Sequence, residues 1–249
     1  MQLIYKENLT VTPDMADRRG WLLPSMLLRL SQNIAGRHCD ILGITTDMLE
    51  KKGLFWAIVR NRIEIRQMPR VGQAVTLQTW PMPTTRVSFP RGTAAYDENG
   101  NLLFSCHSLW VLMDRETRAM VLPGKSGVEV PGIMLEDTPP APTAVPAANC
   151  SDAFRWQVTA EDLDQNGHMN NARYLDWVDH ALGAAFLESH RLKCATLCYI
   201  NEAKEGQILC GCTKTDGENC LYFDLLRQHD DAKADRIFSA ALEYDSVVM

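Results

Sequence analysis

Hydrophobic positions along this chain change their period twice, in the same order each time. From residue 24 to about 39, Leu27, Leu30 and Ile34 share one face at helical spacing, and a second short helix is expected over 46–52. Apolar-rich runs of strand length follow near 56–66, 74–80, 87–96 and 102–113, with Asp97-Glu98-Asn99-Gly100 as a hairpin turn. The pattern then restarts. Residues 154–159 read as a strand. A helix is expected from about 170 to 189, where Tyr174, Leu175, Val178, Ala181, Leu182, Ala185 and Phe186 form an apolar stripe. Strands are expected at 195–201, 207–213, 220–227 and 236–244, with a turn at Thr215-Asp216-Gly217-Glu218. A long helix lying in the concave face of an antiparallel sheet, used twice, is an α+β architecture. Between the two halves, Pro131, Pro139, Pro140, Pro142 and Pro146 suit neither a helix nor a central strand. The expected division is therefore a unit over 1–125, a Pro-rich linker over 126–150 and a unit over 151–249.

The repetition extends to individual residues. The segment from Val158 to His168 aligns with that from Val11 to Trp21, 147 residues earlier. Val158, Thr159, Asp164 and Gly167 match Val11, Thr12, Asp17 and Gly20, and Leu175 falls opposite Leu28. The remaining polar residues do not recur. Arg19 stands opposite Asn166, Trp21 opposite His168, and Leu23-Pro24 opposite Asn170-Asn171. A duplicated unit with polar chemistry in one copy implies a single site, in the second half.

Composition narrows the class. With 46% hydrophobic residues the chain can bury a sizeable core, and its net charge of −6 argues against general nucleic-acid binding. No apolar run reaches membrane-spanning length and the N-terminus lacks a signal-peptide pattern, so a cytoplasmic location is expected. The eight cysteines form no C-x-x-C pair and are expected as buried free thiols. The six histidines show no metal-ligand spacing, so neither metal nor cofactor is expected. Lys51, Lys52, Arg60, Arg62, Arg66, Arg70, Arg86 and Arg91 lie in one stretch opposed only by Glu64, as a solvated face or a docking patch for an acidic partner. Along the first of its strands Arg60, Arg62, Glu64 and Arg66 alternate with Asn61, Ile63 and Ile65, giving one charged and one mostly apolar face. Ala119 to Ser126 resembles a relaxed phosphate loop, A-x-x-x-x-G-K-S. The following Gly127-Val128-Glu129-Val130-Pro131 is a poor helix, so a turn is expected there instead.

The chemistry-bearing run is Asp162-Leu163-Asp164-Gln165-Asn166-Gly167-His168-Met169-Asn170-Asn171 at a helix entry. The spacing of Asp164, Asn166 and His168 places them on one side of an extended loop. Asn170 or Asn171 can cap the helix, whose free N–H groups suit an oxyanion. A capped loop with a solvated His is the alternative. Continued through Ala172-Arg173-Tyr174-Leu175-Asp176-Trp177, the run resembles the active-site segment of acyl-acyl-carrier-protein thioesterases, and the resemblance covers essentially the whole chain. No plastid transit segment precedes it, which points to the bacterial branch. The resemblance implies a tandem (double) hotdog fold with no cofactor. It also implies a second motif in Tyr199-Ile200-Asn201-Glu202-Ala203, where Glu202 matches and Ala203 stands in place of the family's Cys. A Cys–His–Asn triad cannot operate from Ala203, and Cys198 would face the other side of a regular strand.

A carboxylate reading remains. Glu202 is the expected general base or nucleophile, with Asn166 and His168 positioning water and polarising the thioester, and Asp164 orienting them. By the same resemblance the acyl chain enters an apolar tunnel in the first unit, with Met26, Leu27, Leu30 and Ile34 as candidate lining and Asn170 and Asn171 near the substrate. Arg60, Arg62 and Arg66 would dock acyl carrier protein, an acidic partner. The expected activity is release of free fatty acid from acyl-acyl carrier protein. An acyl-CoA thioesterase, a dehydratase on the same fold and a non-catalytic acyl-binding protein are the alternatives. A monomer or a homodimer is expected.

Overall fold

The computed structural model describes residues 2–148, 154–164, 167–217, 219–228 and 234–246. The chain divides into two compact units, Met1–Pro142 and Thr143–Met249. In the first, β1 (Tyr5–Thr10) precedes α1 (Pro24–Ile41), α2 (Thr46–Lys51), β2 (Leu54–Ile65), β3 (Ala74–Pro81), β4 (Phe89–Tyr96), β5 (Leu102–Asp114), the two-residue β6 (Met120–Val121) and the one-turn α3 (Pro123–Ser126). Its antiparallel sheet runs β1-β3-β4-β5-β2, with β6 on β5. In the second unit β7 (Phe154–Gln157) precedes α4 (Arg173–Ser189), β8 (His190–Tyr199), β9 (Ile208–Asp216), β10 (Cys220–Gln228) and β11 (Ala234–Ser246), in the order β7-β9-β10-β11-β8. In each unit the first strand pairs with the third and the second with the fifth, so the expected duplication holds for strand order as well as sequence.

The long helices form for different local reasons. Pro24 occupies the first turn of α1, where its set φ favours the helix and its missing N–H is not needed. Leu27, Leu28, Leu30, Ser31, Ile34, Ala35 and His38 are its buried face. Helix α4 starts at Arg173, three residues after the expected start, and Gly183 breaks it with φ 77° and ψ 163°. Its buried residues, Tyr174, Leu175, Trp177 and Val178, all precede the break, and Ala185 beyond it is exposed. The apolar stripe read over 170–189 therefore spans two helical pieces. β8 begins immediately after α4; His190, Arg191 and Lys193 at its start hide the strand from an apolar pattern.

In β2 the alternation holds only after a register shift between Ile58 and Arg60. Before it Leu54 and Ile58 are buried; after it Asn61 and Ile63 are. The extra residue, Val59, thus turns Arg60, Arg62 and Glu64 to the other face, with Arg66 just past the strand's end. The phosphate-loop resemblance fails as expected: the single turn of α3 ends at Gly127, with φ 61°. Most of the expected linker is built onto one unit or the other. Ile133 and Leu135 pack against the Trp80, Met82 and Ala94 cluster, and the Tyr96 hydroxyl donates to Asp137 at 2.7 Å. Further on, the Ala148 N–H donates to buried Asp224 at 2.7 Å. Cys39, Cys106, Cys194, Cys198, Cys210 and Cys220 are free thiols, but Cys212 is disulfide-bonded, against the expectation. No helix among the described residues is long and apolar enough to cross a membrane.

Two buried histidines of the first unit give its stability a pH dependence. His38 Nε2 lies 2.9 Å from the Gln2 carbonyl, and His107 Nδ1 lies 3.1 Å from that of Pro139. Burial holds the pKa of each below the ordinary 6.5, more than the accepting carbonyls raise it. Below about pH 6.5 the unfolded chain takes up protons that the folded chain refuses, so stability falls as the pH drops. The urea midpoint should decrease from pH 7.5 to 5.5, and His107→Gln should flatten that dependence. An unchanged slope in this variant would remove His107 from the account.

Candidate active site

The polar run enters α4 through a tight turn rather than an extended loop. Ala160–Asp162 forms a 3-10 turn, and Leu163 and Met169 bridge across the segment that follows. The Asp164 N–H donates to the His168 carbonyl at 2.8 Å, and the Gly167 N–H to the Asp164 carbonyl at 3.0 Å. Gly167 has φ 74°, a left-handed conformation that a side chain would strain. The Asp164 carboxylate accepts the His168 N–H at 3.4 Å, so Asp164 supports the backbone of the turn. The expected alternation from Asp164 to His168 is replaced by this reversal. Asn166 lies outside the described residues.

Asp162 anchors the turn. This carboxylate is 4% exposed and accepts the N–H and the hydroxyl of Thr159, both at 3.0 Å. Its other oxygen receives Arg173 Nε at 3.2 Å and Nη2 at 3.1 Å, and its carbonyl receives the Asn170 N–H at 2.8 Å. Arg173 also binds Asp176 at 2.8 Å. The sequence contained the signal for this role, a Thr three residues before an Asp at a helical turn, but the motif's other residues drew the assignment. Asn170 supports the helix entry at one remove: its side chain accepts the Ala172 N–H at 2.9 Å, just before the first helical residue. The Asn171 carbonyl accepts the Tyr199 hydroxyl at 3.2 Å.

These contacts bring His168 to Glu202. The Met169 N–H donates to the Ala203 carbonyl at 3.0 Å, which draws the turn against the segment after β8. His168 Nε2 then lies 3.2 Å from Glu202 Oε2, with the two side chains 19% and 40% exposed. Arg227 braces Glu202 through its carbonyl at 3.4 Å and is itself paired with Asp235 at 2.8 Å. Glu202 stands beyond the end of β8, not on the strand, so strand parity does not relate Ala203 to Cys198. Both are buried, and the Cys198 thiol donates to the Thr143 carbonyl at 3.5 Å. The arrangement pairs a partly solvated carboxylate with an imidazole beside a helix entry, groups able to deprotonate a water and hold developing negative charge. Among the described residues no cluster could hold a metal ion.

The first unit repeats this backbone without the chemistry. Its 3-10 turn is Pro13–Met15, Ala16 and Leu22 form the bridge, and Gly20 has φ 77°. The Asp17 N–H donates to the Trp21 carbonyl at 2.8 Å, and the Leu22 N–H to the Pro69 carbonyl at 2.9 Å. Pro69 thus takes the part of Ala203, and the residue before it is Met68 instead of Glu202. Trp21, opposite His168, stacks under Arg70, whose guanidinium carbon is 3.9 Å from the ring centre.

The other expected residues fall within the first unit. Leu27, Leu30 and Ile34 are buried and Met26 is half-buried on α1. Arg60 and Arg62 are half-buried on β2 and Arg66, just past its end, is exposed, with Arg62 paired to Glu64 at 2.9 Å. Arg91, counted above with the basic stretch, is 5% exposed. It faces the interior because it lies on β4, whose residues Phe89 to Ala95 are all buried.

Comparison with known proteins agrees with this architecture. Residues 2–122 match the acyl-ACP thioesterase N-terminal domain and residues 147–244 the acyl-ACP thioesterase C-terminal domain. The chain belongs to the acyl-ACP thioesterase family, and its fold is the double hotdog. It is 27% identical over 215 residues to oleoyl-acyl carrier protein thioesterase 2, chloroplastic, of Arabidopsis thaliana, covering 78% of this chain and 58% of that one. The chain spans about half to two thirds of the length of the curated relatives it matches. Among solved structures, an acyl-ACP thioesterase from Bacteroides thetaiotaomicron superposes with TM-score 0.85 at 21% identity, over 97% of this chain and 98% of that one. The 12:0-ACP thioesterase from Umbellularia californica gives TM-score 0.82 at 19% identity, over 99% of each chain.

Asp162→Ala leaves Arg173 Nε and Nη2 and the Thr159 donors without their acceptor, while Arg173 keeps its bond to Asp176. The expected loss is about 2–3 kcal/mol in urea unfolding, reduced from a fully buried pair because Arg173 is partly solvated. A change below about 0.5 kcal/mol would show that the turn holds without this carboxylate.

Proposed function

We propose that this chain hydrolyses the thioester of acyl-acyl carrier protein and releases free fatty acid. The observation that carries the reading is the 3.2 Å pair of His168 and Glu202 at the α4 entry, in a chain of the acyl-ACP thioesterase family. A thioester carbonyl is electrophilic and its thiolate leaves without prior protonation, so the demands are an activated water and a stabilised oxyanion. Glu202 accepts a proton from water as the oxygen attacks the carbonyl carbon. His168 orients Glu202 and the water, and Asn166 polarises the thioester carbonyl. Asp164 holds the turn that carries His168. The Asn170, Ala172 and Arg173 amides at the entry of α4 are already bonded within the turn, so the oxyanion falls to Asn166, with Asn170 and Asn171 beside the substrate. Collapse of the tetrahedral intermediate breaks the C–S bond and expels the carrier's thiolate, which takes up the proton. A covalent route through Glu202 needs the same groups, with water attacking in a second step.

The second unit is the catalytic one in this reading, and the acyl chain is taken up in the first beside α1, where Met26, Leu27, Leu30 and Ile34 stand as lining. The acidic carrier docks on Arg60 and Arg62, which the β2 bulge turns to one face, and on the exposed Arg66 just past the strand.

Glu202→Gln should lower kcat by at least 100-fold with an unchanged melting temperature, because Glu202 is 40% exposed and outside the core. Turnover within a few-fold of the parent would remove Glu202 from the mechanism. Replacing Arg60 and Arg62 together by Glu should raise KM for acyl-acyl carrier protein about tenfold and leave kcat, and KM for the matched acyl-CoA, little changed. Equal effects on both substrates, or faster parent turnover of acyl-CoA, would transfer the activity to CoA thioesters.

A further inference from the structure

The first unit contains a pocket that the hydrolytic mechanism does not use. It has a volume of about 620 Å3, including its open mouth. Trp56, Phe89, Trp110 and Ile44 make apolar walls, and Arg91 lies among the lining residues. Gly36, Asp40 and Thr46, all exposed, stand at the mouth. Ala35, Gly36 and Cys39 place it further along α1 than Met26, Leu27, Leu30 and Ile34, none of which lines it.

Arg91 is the unusual member. The guanidinium donates to His38 Nδ1 at 3.1 Å, to the Thr79 hydroxyl at 3.3 Å and to the Cys39 sulfur at 3.3 Å. None of these acceptors carries the charge a buried cation calls for. His38 lends a lone pair because its other nitrogen faces the Gln2 carbonyl, and burial raises the Cys39 pKa despite Arg91, so the thiol stays protonated. No carboxylate among the described residues pairs with Arg91. Three of its five N–H groups are used, leaving two for a ligand. A buried, incompletely compensated guanidinium at an apolar pocket favours an anion attached to an apolar body.

The geometry points to this pocket as a binding site for an aliphatic carboxylate, its chain against Trp56, Phe89 and Trp110 and its carboxylate on Arg91. Two molecules carry that chemistry: a free fatty acid, and an acyl thioester with a second carboxylate at its far end. Binding of the free acid does not depend on turnover and stands apart from the hydrolytic reading; the thioester source rests on that reading.

The test is equilibrium binding to the full chain carrying Glu202→Gln, so that the thioester probes are not consumed, followed by calorimetry and by tryptophan fluorescence. The probes are decanoate, methyl decanoate, decanoyl pantetheine and the pantetheine half-thioester of decanedioic acid. Decanoate should bind at least about tenfold more tightly than its methyl ester, or the half-thioester than decanoyl pantetheine. Whichever pair discriminates identifies the source of the carboxylate. Arg91→Met should abolish the discrimination and leave binding of the neutral probes. Gly36→Leu provides a second variant should Arg91→Met fail to fold. A Cβ at Gly36 meets nothing within 4 Å, so the larger side chain narrows the mouth without disturbing the core, and carboxylate binding should weaken at least fivefold. Equal binding of charged and neutral probes, discrimination that survives Arg91→Met, or binding untouched by Gly36→Leu would overturn the assignment.

Discussion

A single buried carboxylate sets the geometry of the second unit's site. Asp162 is buried, where a carboxylate is costly unless its oxygens are bonded, and the bonds it makes reach both ends of the polar segment. Thr159 precedes the segment and Arg173 begins α4, so the two termini of the turn are joined through one side chain. The Asp162 carbonyl adds the Asn170 N–H, which leaves little freedom for the residues between. With the turn held in this way, one backbone bond from Met169 to Ala203 suffices to bring His168 beside Glu202.

The first unit shows that this backbone does not require these side chains. Turn, bridge, left-handed glycine and the bond to the facing segment are all present there. Its polar demands are met locally. Asp17 accepts the N–H groups of Arg19 and Trp21 and pairs with the Arg19 guanidinium, while Trp21 lies under Arg70. A loop that folds with Trp21 and Met68 has no structural need for an imidazole and a carboxylate at the same places. His168 and Glu202 therefore call for an explanation outside folding, which is stronger support for a chemical role than the motif's spacing alone.

Much of this was legible in the residues. The alignment of Asp17, Gly20 and Trp21 with Asp164, Gly167 and His168 predicted one unit used twice, and the same backbone bonds recur in both. The extended loop expected at Asp164 to His168 was wrong, because the left-handed Gly167 and the Asp164 backbone bonds reverse the chain there. Most helix and strand positions followed from period; β8 begins at His190, ahead of the expected 195, α3 stands where a turn was expected, and β1 and β6 were not located. β1 is half-buried with Glu7 and Asn8 in it, and β6 has two residues, so neither carries a period. The start of α4 was misplaced because its position is decided by Asp162 and Arg173 reaching across the turn, a contact that propensity cannot register. The break at Gly183 was hidden because apolar residues continue past it in step. Glu202 was found by resemblance but placed on a strand, since the end of β8 depends on pairing with β11 rather than on its own residues.

Arg91 shows where charge counting stops being informative. Along the chain it is one more cation in a basic stretch; in the fold it shares the sheet face of Asn61, opposite Arg60 and Arg62. Arg60 and Arg62 are turned to the other face by the extra residue at Val59, whereas Arg91 is carried inward on a strand that is buried on both sides of it. The outward group pays little for its charge and is free to act at a distance. The inward one sits where an unmatched charge is costly, yet its own contacts are a neutral imidazole, a hydroxyl and a thiol. Desolvation makes the same guanidinium a weak influence in one place and a strong one in the other, and only the fold decides which. The two halves of this chain have thus kept one backbone plan while diverging in the polar groups they enclose: an imidazole–carboxylate pair in the second, a cation at an apolar pocket in the first.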